Sequence, residues 1–352
     1  MKKFLSLVLV AMMALAMVPT AMAEDTMYIP VMAKGFQHQF WQTVYAGAQA
    51  AAADYGVEIY FDGPASETNI DEQVEMLKSE MAKNPAAIAL AALSTDSVMT
   101  ELQECLEKGI PVIGFDSGVP NAPAGSIYAT ASTNNENAAA LAAEMLYAKE
   151  GFADMLSAAT AENPVVIAVI SQEAVSGSIV GRTTGFVNKM VELASANGTV
   201  SVTGHDIWKN EVAGANIVIH VQISATTEAT DVATASNAVL NMDNLKAVFL
   251  SNEGAVTGFL AATADGSELA EGDRYGDLIV VGFDAGAPQK NAIRNNWFYG
   301  SVTQDPYQIG YKAVELAVKA AKGETVADVD TGAQWYNAEN IDDEMISMLV
   351  YD

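Results

Sequence analysis

The chain has 352 residues, 51% of them hydrophobic, and sets 44 Asp and Glu against 17 Lys and Arg for a formal net charge of −27. A surplus of negative charge on that scale repels polyanions and argues against a nucleic-acid partner or an anionic membrane surface. The length exceeds what one hydrophobic core comfortably serves, so two domains are expected.

At the N-terminus, Met1-Lys2-Lys3 precedes the apolar stretch from Phe4 to Val18, and Ala21-Met22-Ala23 has the small-x-small pattern of a cleavage site. Residues 1–23 therefore read as a secretory signal peptide. Its apolar core is too short to favour a permanent span, and no later unbroken run reaches the roughly 18 residues that a span needs. The mature chain is expected to start near Glu24, exported and soluble, and to carry two positive charges fewer. No cysteine stands at the cut to take a lipid anchor. The single cysteine, Cys105, cannot form an internal disulfide and reads as a small buried apolar residue.

From Thr26 the pattern alternates extended and helical segments. Met27 to Met32 reads as a strand, Phe40 to Tyr55 as a helix and Val57 to Phe61 as the next strand. Thr68 or Asn69 caps a helix that Asn84-Pro85 ends. Ala86 to Ala92 is extended, Ser97 to Lys108 helical, and Ile110-Pro111-Val112-Ile113-Gly114-Phe115-Asp116 is a buried strand ending in a carboxylate. A second lobe then begins with helix Asn137 to Lys149, strand Val165 to Ile170, helix Ile179 to Ala196 and strand Thr199 to Thr203. The stretch from His205 to Ser224 shows no legible pattern. A helix from Glu228 to Asn241 follows, then Lys246 to Leu250 as a strand and Gly254 to Ala264 as a helix. Leu278-Ile279-Val280-Val281-Gly282-Phe283-Asp284 then repeats the earlier strand and its Gly-Phe-Asp ending. Trp297 to Val302 is the last strand and Tyr307 to Lys322 the last helix.

This alternation, with its doubled β-α-β unit, predicts an α/β fold of two Rossmann-like, doubly wound parallel-sheet lobes. Returns of the chain at about Ala129, Gln304 and Gly332 would make a three-stranded hinge with the ligand in the interlobe cleft. The N-terminal lobe is then 24–128 plus 306–332, and the C-terminal lobe 129–305 plus 333–352. No linker rich in Ser, Pro or Gly separates them.

The chain lacks G-x-G-x-x-G after a strand, G-x-x-x-x-G-K-[ST] and G-x-S-x-G. His38, His205 and His220 share no ligand-like spacing, and Cys105 has no CxxC partner. No metal, cofactor or catalytic group is expected, and an enzyme is disfavoured. What remains is a polar and aromatic set at strand ends and helix starts, where open α/β sheets bind ligands. His38-Gln39-Phe40-Trp41 opens the first helix, and its rings can cover the C–H face of a sugar unless they are ordinary core residues. Asp116 and Asp284 can each accept two hydroxyl hydrogen bonds, or cap the helix that follows. Arg182, in Gly181-Arg182-Thr183-Thr184-Gly185-Phe186, offers a guanidinium fork for two ring oxygens or for a structural ion pair. Asn252-Glu253 and Gln304-Asp305-Pro306 supply neutral amides suited to hydroxyls.

In order along the chain, these motifs resemble the periplasmic sugar-binding proteins of ABC transporters, of the ribose-binding type. The likeness spans nearly the whole mature chain. It implies two lobes joined by three crossovers, closing on a sugar and presenting the closed form to a permease. Its sugar contacts would fall on Phe40, Trp41, Asp116, Arg182, Asn252, Asp284 and Gln304, with His38 and Ser117 beside them. Two departures put ribose itself in doubt: His38 stands where ribose binders carry Asn, and Ser117 where they carry Arg. Trp208 falls in the region where the family draws another aromatic contact.

The resemblance implies a monomer that delivers a monosaccharide or polyol-like ligand to ABC transporter permease subunits in the periplasm or cell-envelope space. An alternative partner is a chemoreceptor or sensor kinase. A transcription regulator built on the same core would need a basic helix-turn-helix at the start, where this chain has its signal sequence.

Overall fold

The computed structural model describes residues 26–35 and 38–351. The expected signal peptide lies outside them. Strands β1 (Tyr28–Met32), β2 (Glu58–Asp62), β3 (Ile88–Leu90), β4 (Val112–Phe115), β5 (Ile127–Ser132) and β12 (Val329–Asp330) form one parallel sheet in the order β2-β1-β3-β4-β5-β12. A second sheet has the order β7-β8-β6-β9-β10-β11-β13. Its strands are β6 (Val165–Ser171), β7 (Val200–Gly204), β8 (Ile217–Ile223), β9 (Leu245–Leu250), β10 (Ile279–Phe283), β11 (Gly300–Gln304) and β13 (Ala333–Tyr336). Among the strand pairings of the described residues, only that of β11 with β13 is antiparallel. The continuous apolar runs follow from helices covering both faces of each sheet: all of β6 and β4 is buried.

The helices are α1 (Gln39–Tyr55), α2 (Ile70–Met81), α3 (Met99–Lys108), α4 (Asn135–Tyr147), α5 (Phe152–Ser157), α6 (Gly177–Ala194), α7 (Ala229–Leu240), α8 (Glu253–Ala262), α9 (Ala287–Arg294), α10 (Pro306–Ala321) and α11 (Glu344–Ser347). Two helix pairs approach with their backbones nearly touching, and glycine permits it. A Cβ on Gly47 of α1 would lie 2.0 Å from the Tyr307 carbonyl oxygen, and one on Gly310 of α10 would lie 1.9 Å from that of Val44. In the second lobe, a Cβ on Gly185 of α6 would lie 2.1 Å from the Glu136 carbonyl oxygen of α4.

The chain crosses between sheets three times: after Ser132, between Gln304 and Pro306, and between Asp330 and Ala333. The first crossing falls past the expected Ala129, because β5 continues through Ser132 in the first sheet. Its Ile-Tyr-Ala-Thr-Ala-Ser sequence buries only small residues such as Ala129 and Ala131, which weakens the apolar signal of a strand. The crossings are tied together: Thr133 Oγ1 donates to the Gly332 carbonyl at 3.0 Å, and Asn134 N donates to Asp330 Oδ1 at 3.1 Å. The stretch 205–224 contains β8, which pairs with both β6 and β7. Cys105 is fully buried, and burial pushes its thiol up to about 11, as an inert apolar residue requires.

Candidate functional site

The doubled Gly-Phe-Asp has the same backbone in both lobes. Asp116 and Asp284 adopt φ of 51° and 76°, in the left-handed region that Asp tolerates better than most residues. Each amide bonds the neighbouring strand, Asp116 N to the Ala131 carbonyl at 3.0 Å and Asp284 N to that of Val302 at 2.7 Å. The left-handed residue breaks the strand at its carboxyl end, and both aspartates line one cavity between the lobes.

Six of the other expected residues also line that cavity. His38, Phe40, Trp41, Arg182, Asn252 and Gln304 line it, together with Lys34, Glu67, Ser178, Ile179 and Glu253. Ser117 stands apart: it is fully buried, and its Oγ accepts the Ser178 amide across the lobe boundary at 3.3 Å. Trp208 is in the core of the second lobe, its Nε1 donating to Thr184 Oγ1 at 2.9 Å. The strand ends and helix starts gave no hint of Lys34 or Glu67, which sit in short loops after β1 and β2. A lone lysine between Ala33 and Gly35 in an apolar setting was the available signal.

Arg182 is held on four sides. Its Nη1 donates to Asp284 Oδ2 at 3.3 Å and to the Ser251 carbonyl at 3.2 Å, and its Nε to Asn135 Oδ1 at 2.8 Å. The guanidinium carbon lies 4.0 Å from the centroid of the Phe283 ring. Asp284 also accepts the Glu253 amide at the start of α8 at 3.0 Å, and Gln304 Nε2 at 2.7 Å. It therefore caps no helix after it and serves instead as a hub within the site. Asn252 caps α8 through its Oδ1, which accepts from Ala255 N at 3.1 Å.

On the facing lobe, Glu67 accepts from Trp41 Nε1 at 3.1 Å and, across the cleft, from Gln172 Nε2 at 2.9 Å. Lys34 Nζ lies 3.8 Å from Glu67 Oε2 and donates to Ser176 Oγ of the other lobe at 3.4 Å. Phe40 and Trp41 meet edge to face at 5.0 Å between centroids. Both are nearly buried, so they serve the core and the cavity wall together.

Charge inside the site is mostly paired, with one exception. Asp116 is 4% exposed, and its carboxylate accepts no hydrogen bond from the described residues. Burial raises it to about 6, against the pull of Lys34 and Arg182. Burial also raises Glu253 to about 7. Burial pushes Glu67 up too, but the charges of Lys34 and His38 and the bonds from Trp41 and Gln172 hold it below the ordinary range. Gln304 Oε1 is a second buried acceptor without a partner. The cavity holds about 30 Å³ of water-accessible volume, because side chains from both walls reach into it.

Two parallel-sheet lobes, crossed three times and meeting on a buried polar cavity, define a receptor that closes on a small ligand. The model of the periplasmic binding protein domain matches residues 29–325, and the chain belongs to that family. The D-allose-binding periplasmic protein of Escherichia coli (strain K12) is 23% identical over 315 residues, 88% of this chain and 90% of that protein. The ribose import binding protein of the same strain is 22% identical over 326 residues, 93% of this chain and 95% of that protein.

Solved structures give the same fold. One described as an ABC transporter, LacI family transcriptional regulator, from Brachyspira murdochii is 41% identical, with a TM-score of 0.77 over 93% of this chain and 99% of its own. A carbohydrate transporter solute binding protein from Agrobacterium radiobacter, in complex with D-arabinose, is 25% identical with a TM-score of 0.77 over 94% of this chain and 100% of its own. The two-lobed α/β architecture and the family expected from the sequence both hold.

Proposed function

We propose that this protein captures a small neutral sugar between its lobes, outside the cytoplasm, and presents the closed form to an ABC transporter permease. The observation that carries this reading is the buried Asp116 carboxylate, which faces the cavity without a hydrogen-bond donor. A hydroxyl is the uncharged donor that would satisfy it, and a hydrogen bond to a charged group contributes about 1.5–3 kcal/mol. The unpartnered Gln304 Oε1 adds a second acceptor on the other lobe. The solved relatives bound to D-arabinose and D-fucose support a sugar as the ligand class.

Neutrality follows from the pairing of Arg182 with Asp284 and of Lys34 with Glu67, so that among the described residues lining the cavity each Lys and Arg already faces a carboxylate. A ring enters by replacing part of these side-chain contacts with its own hydroxyls. Because the walls come from different lobes, a ligand bonded to both stabilises the closed arrangement over the open one, and no covalent step is needed. A thermal-shift panel of aldoses, ketoses, polyols and nucleosides tests the reading. A saturating sugar should raise Tm by several degrees. Stabilisation by a different ligand class, with every sugar silent, would overturn it.

A further inference from the structure

Beside the cavity lies a second and roomier one. It has a volume of about 490 Å³, inside the range of about 300–1,000 Å³ common to small-molecule sites. Lys34 and Glu67 line both spaces, so the two chambers meet at that pair. Both lobes build the outer chamber: Ile70 and Leu93 come from the first, and Val175, Ile223 and Thr226 from the second.

Closure shapes this chamber as it shapes the inner one. Ser66 Oγ and Thr68 Oγ1 donate across the cleft to Glu228 Oε1 at 2.8 and 3.0 Å, and Thr95 N donates to the Val175 carbonyl at 3.1 Å. The lining is amphipathic. Ile70, Leu93, Val175 and Ile223 offer apolar surface, while Thr226 and His205 offer polar atoms. A pyranose or furanose ring carries the same mixture of C–H faces and hydroxyl edges, whereas a purely apolar group would leave unmatched Ser224 Oγ and Thr227 Oγ1, which line the chamber buried and without a partner among the described residues.

Resting on the sugar reading, we infer that the outer chamber binds a second ring, joined to the first by a glycosidic bond that passes beside Lys34 and Glu67. The preferred ligand is then a saccharide of two units, its terminal ring seated against Asp116 and Asp284.

Isothermal titration of the full mature chain tests this, using the tightest monosaccharide and the disaccharides and butyl glycoside built on it. At least one disaccharide should bind ten-fold or more tightly than the monosaccharide. Ile223→Trp should remove that advantage while leaving monosaccharide affinity within about twofold. Val175→Trp, at a position 45% exposed on the same lobe, serves should the first variant misfold. Disaccharides binding no better than the monosaccharide would overturn the second ring and leave the sugar reading standing. A butyl glycoside matching the disaccharide gain would assign the chamber to an apolar aglycone, which also overturns it. Failure of sugars of either size to bind would overturn both readings.

Discussion

Asp116 and Arg182 do different work, although both face the same cavity. Asp116 is a desolvated carboxylate with no protein donor, whereas Arg182 neutralises the buried Asp284. Asp116→Ala should therefore lower sugar affinity by roughly ten- to a hundredfold while leaving Tm unchanged or raised. Arg182→Ala should lose binding and also destabilise the fold by about 3–5 kcal/mol, since Asp284 is left buried and unpaired. Calorimetric titration and melting curves on both variants separate the two roles; a stable, ligand-blind Arg182→Ala would refute the second. The raised carboxyls make a pH prediction as well. Where the folded group holds its proton more tightly than the solvated one, stability is greatest in acid and falls as pH rises from the ordinary carboxylate range through the folded value. For Asp116 at about 6 and Glu253 at about 7, the ligand-free protein should lose stability between about pH 4 and 7, with opening of the cleft favoured above that window. Melting curves across that range, on wild type and Asp116→Asn, check the slope. The doubled aspartates were legible in the sequence because each ends an apolar strand. Lys34 and Glu67 were not, since a loop residue's neighbours across a cleft depend on closure and not on local pattern.

Among the elements, close approach is the controlling feature. A Cβ on Gly177, at the start of α6, would lie 2.6 Å from the Gly118 carbonyl oxygen of the opposite lobe. Gly177→Ala should thus resist closure, reducing sugar affinity with little change in Tm. Gly47→Ala instead wedges α1 from α10 within one lobe, and should cost stability by roughly 1–3 kcal/mol. Paired titration and thermal melts distinguish these outcomes; equal effects of the two substitutions would show that the interlobe contact is not selective. Most helices and strands could be read from the sequence because long helices and fully buried strands carry strong periodicity. β8 escaped notice because its buried Ile217, Ile219 and Val221 alternate with half-exposed Val218, His220 and Gln222. That pattern of a strand with one wetter face sat beside the turn-rich stretch of residues 205–216, which blurred its start.

For the molecule as a whole, closure is held at the outer edge by the paired hydroxyls of Ser66 and Thr68 on Glu228. Replacing both by alanine should enlarge the ligand-free protein, measured by small-angle scattering, and weaken sugar binding by roughly three- to tenfold. An unchanged radius of gyration and affinity would show that the edge bonds only accompany closure. The two-lobed plan was legible because the sequence repeats itself, but the exact crossings were not, since small alanines carry β5 into the first sheet. Those crossings have a further consequence, in the order of synthesis. The helix Pro306–Ala321 packs on α1 and against β1, β3, β4 and β5, yet it is made only after the whole second sheet except β13. A growing chain stopped at Ser132 would hold five strands of the first lobe with the glycine face of α1 uncovered. The core of the first lobe is therefore complete only once Pro306–Ala321, which follows almost all of the second sheet in the chain, has been made.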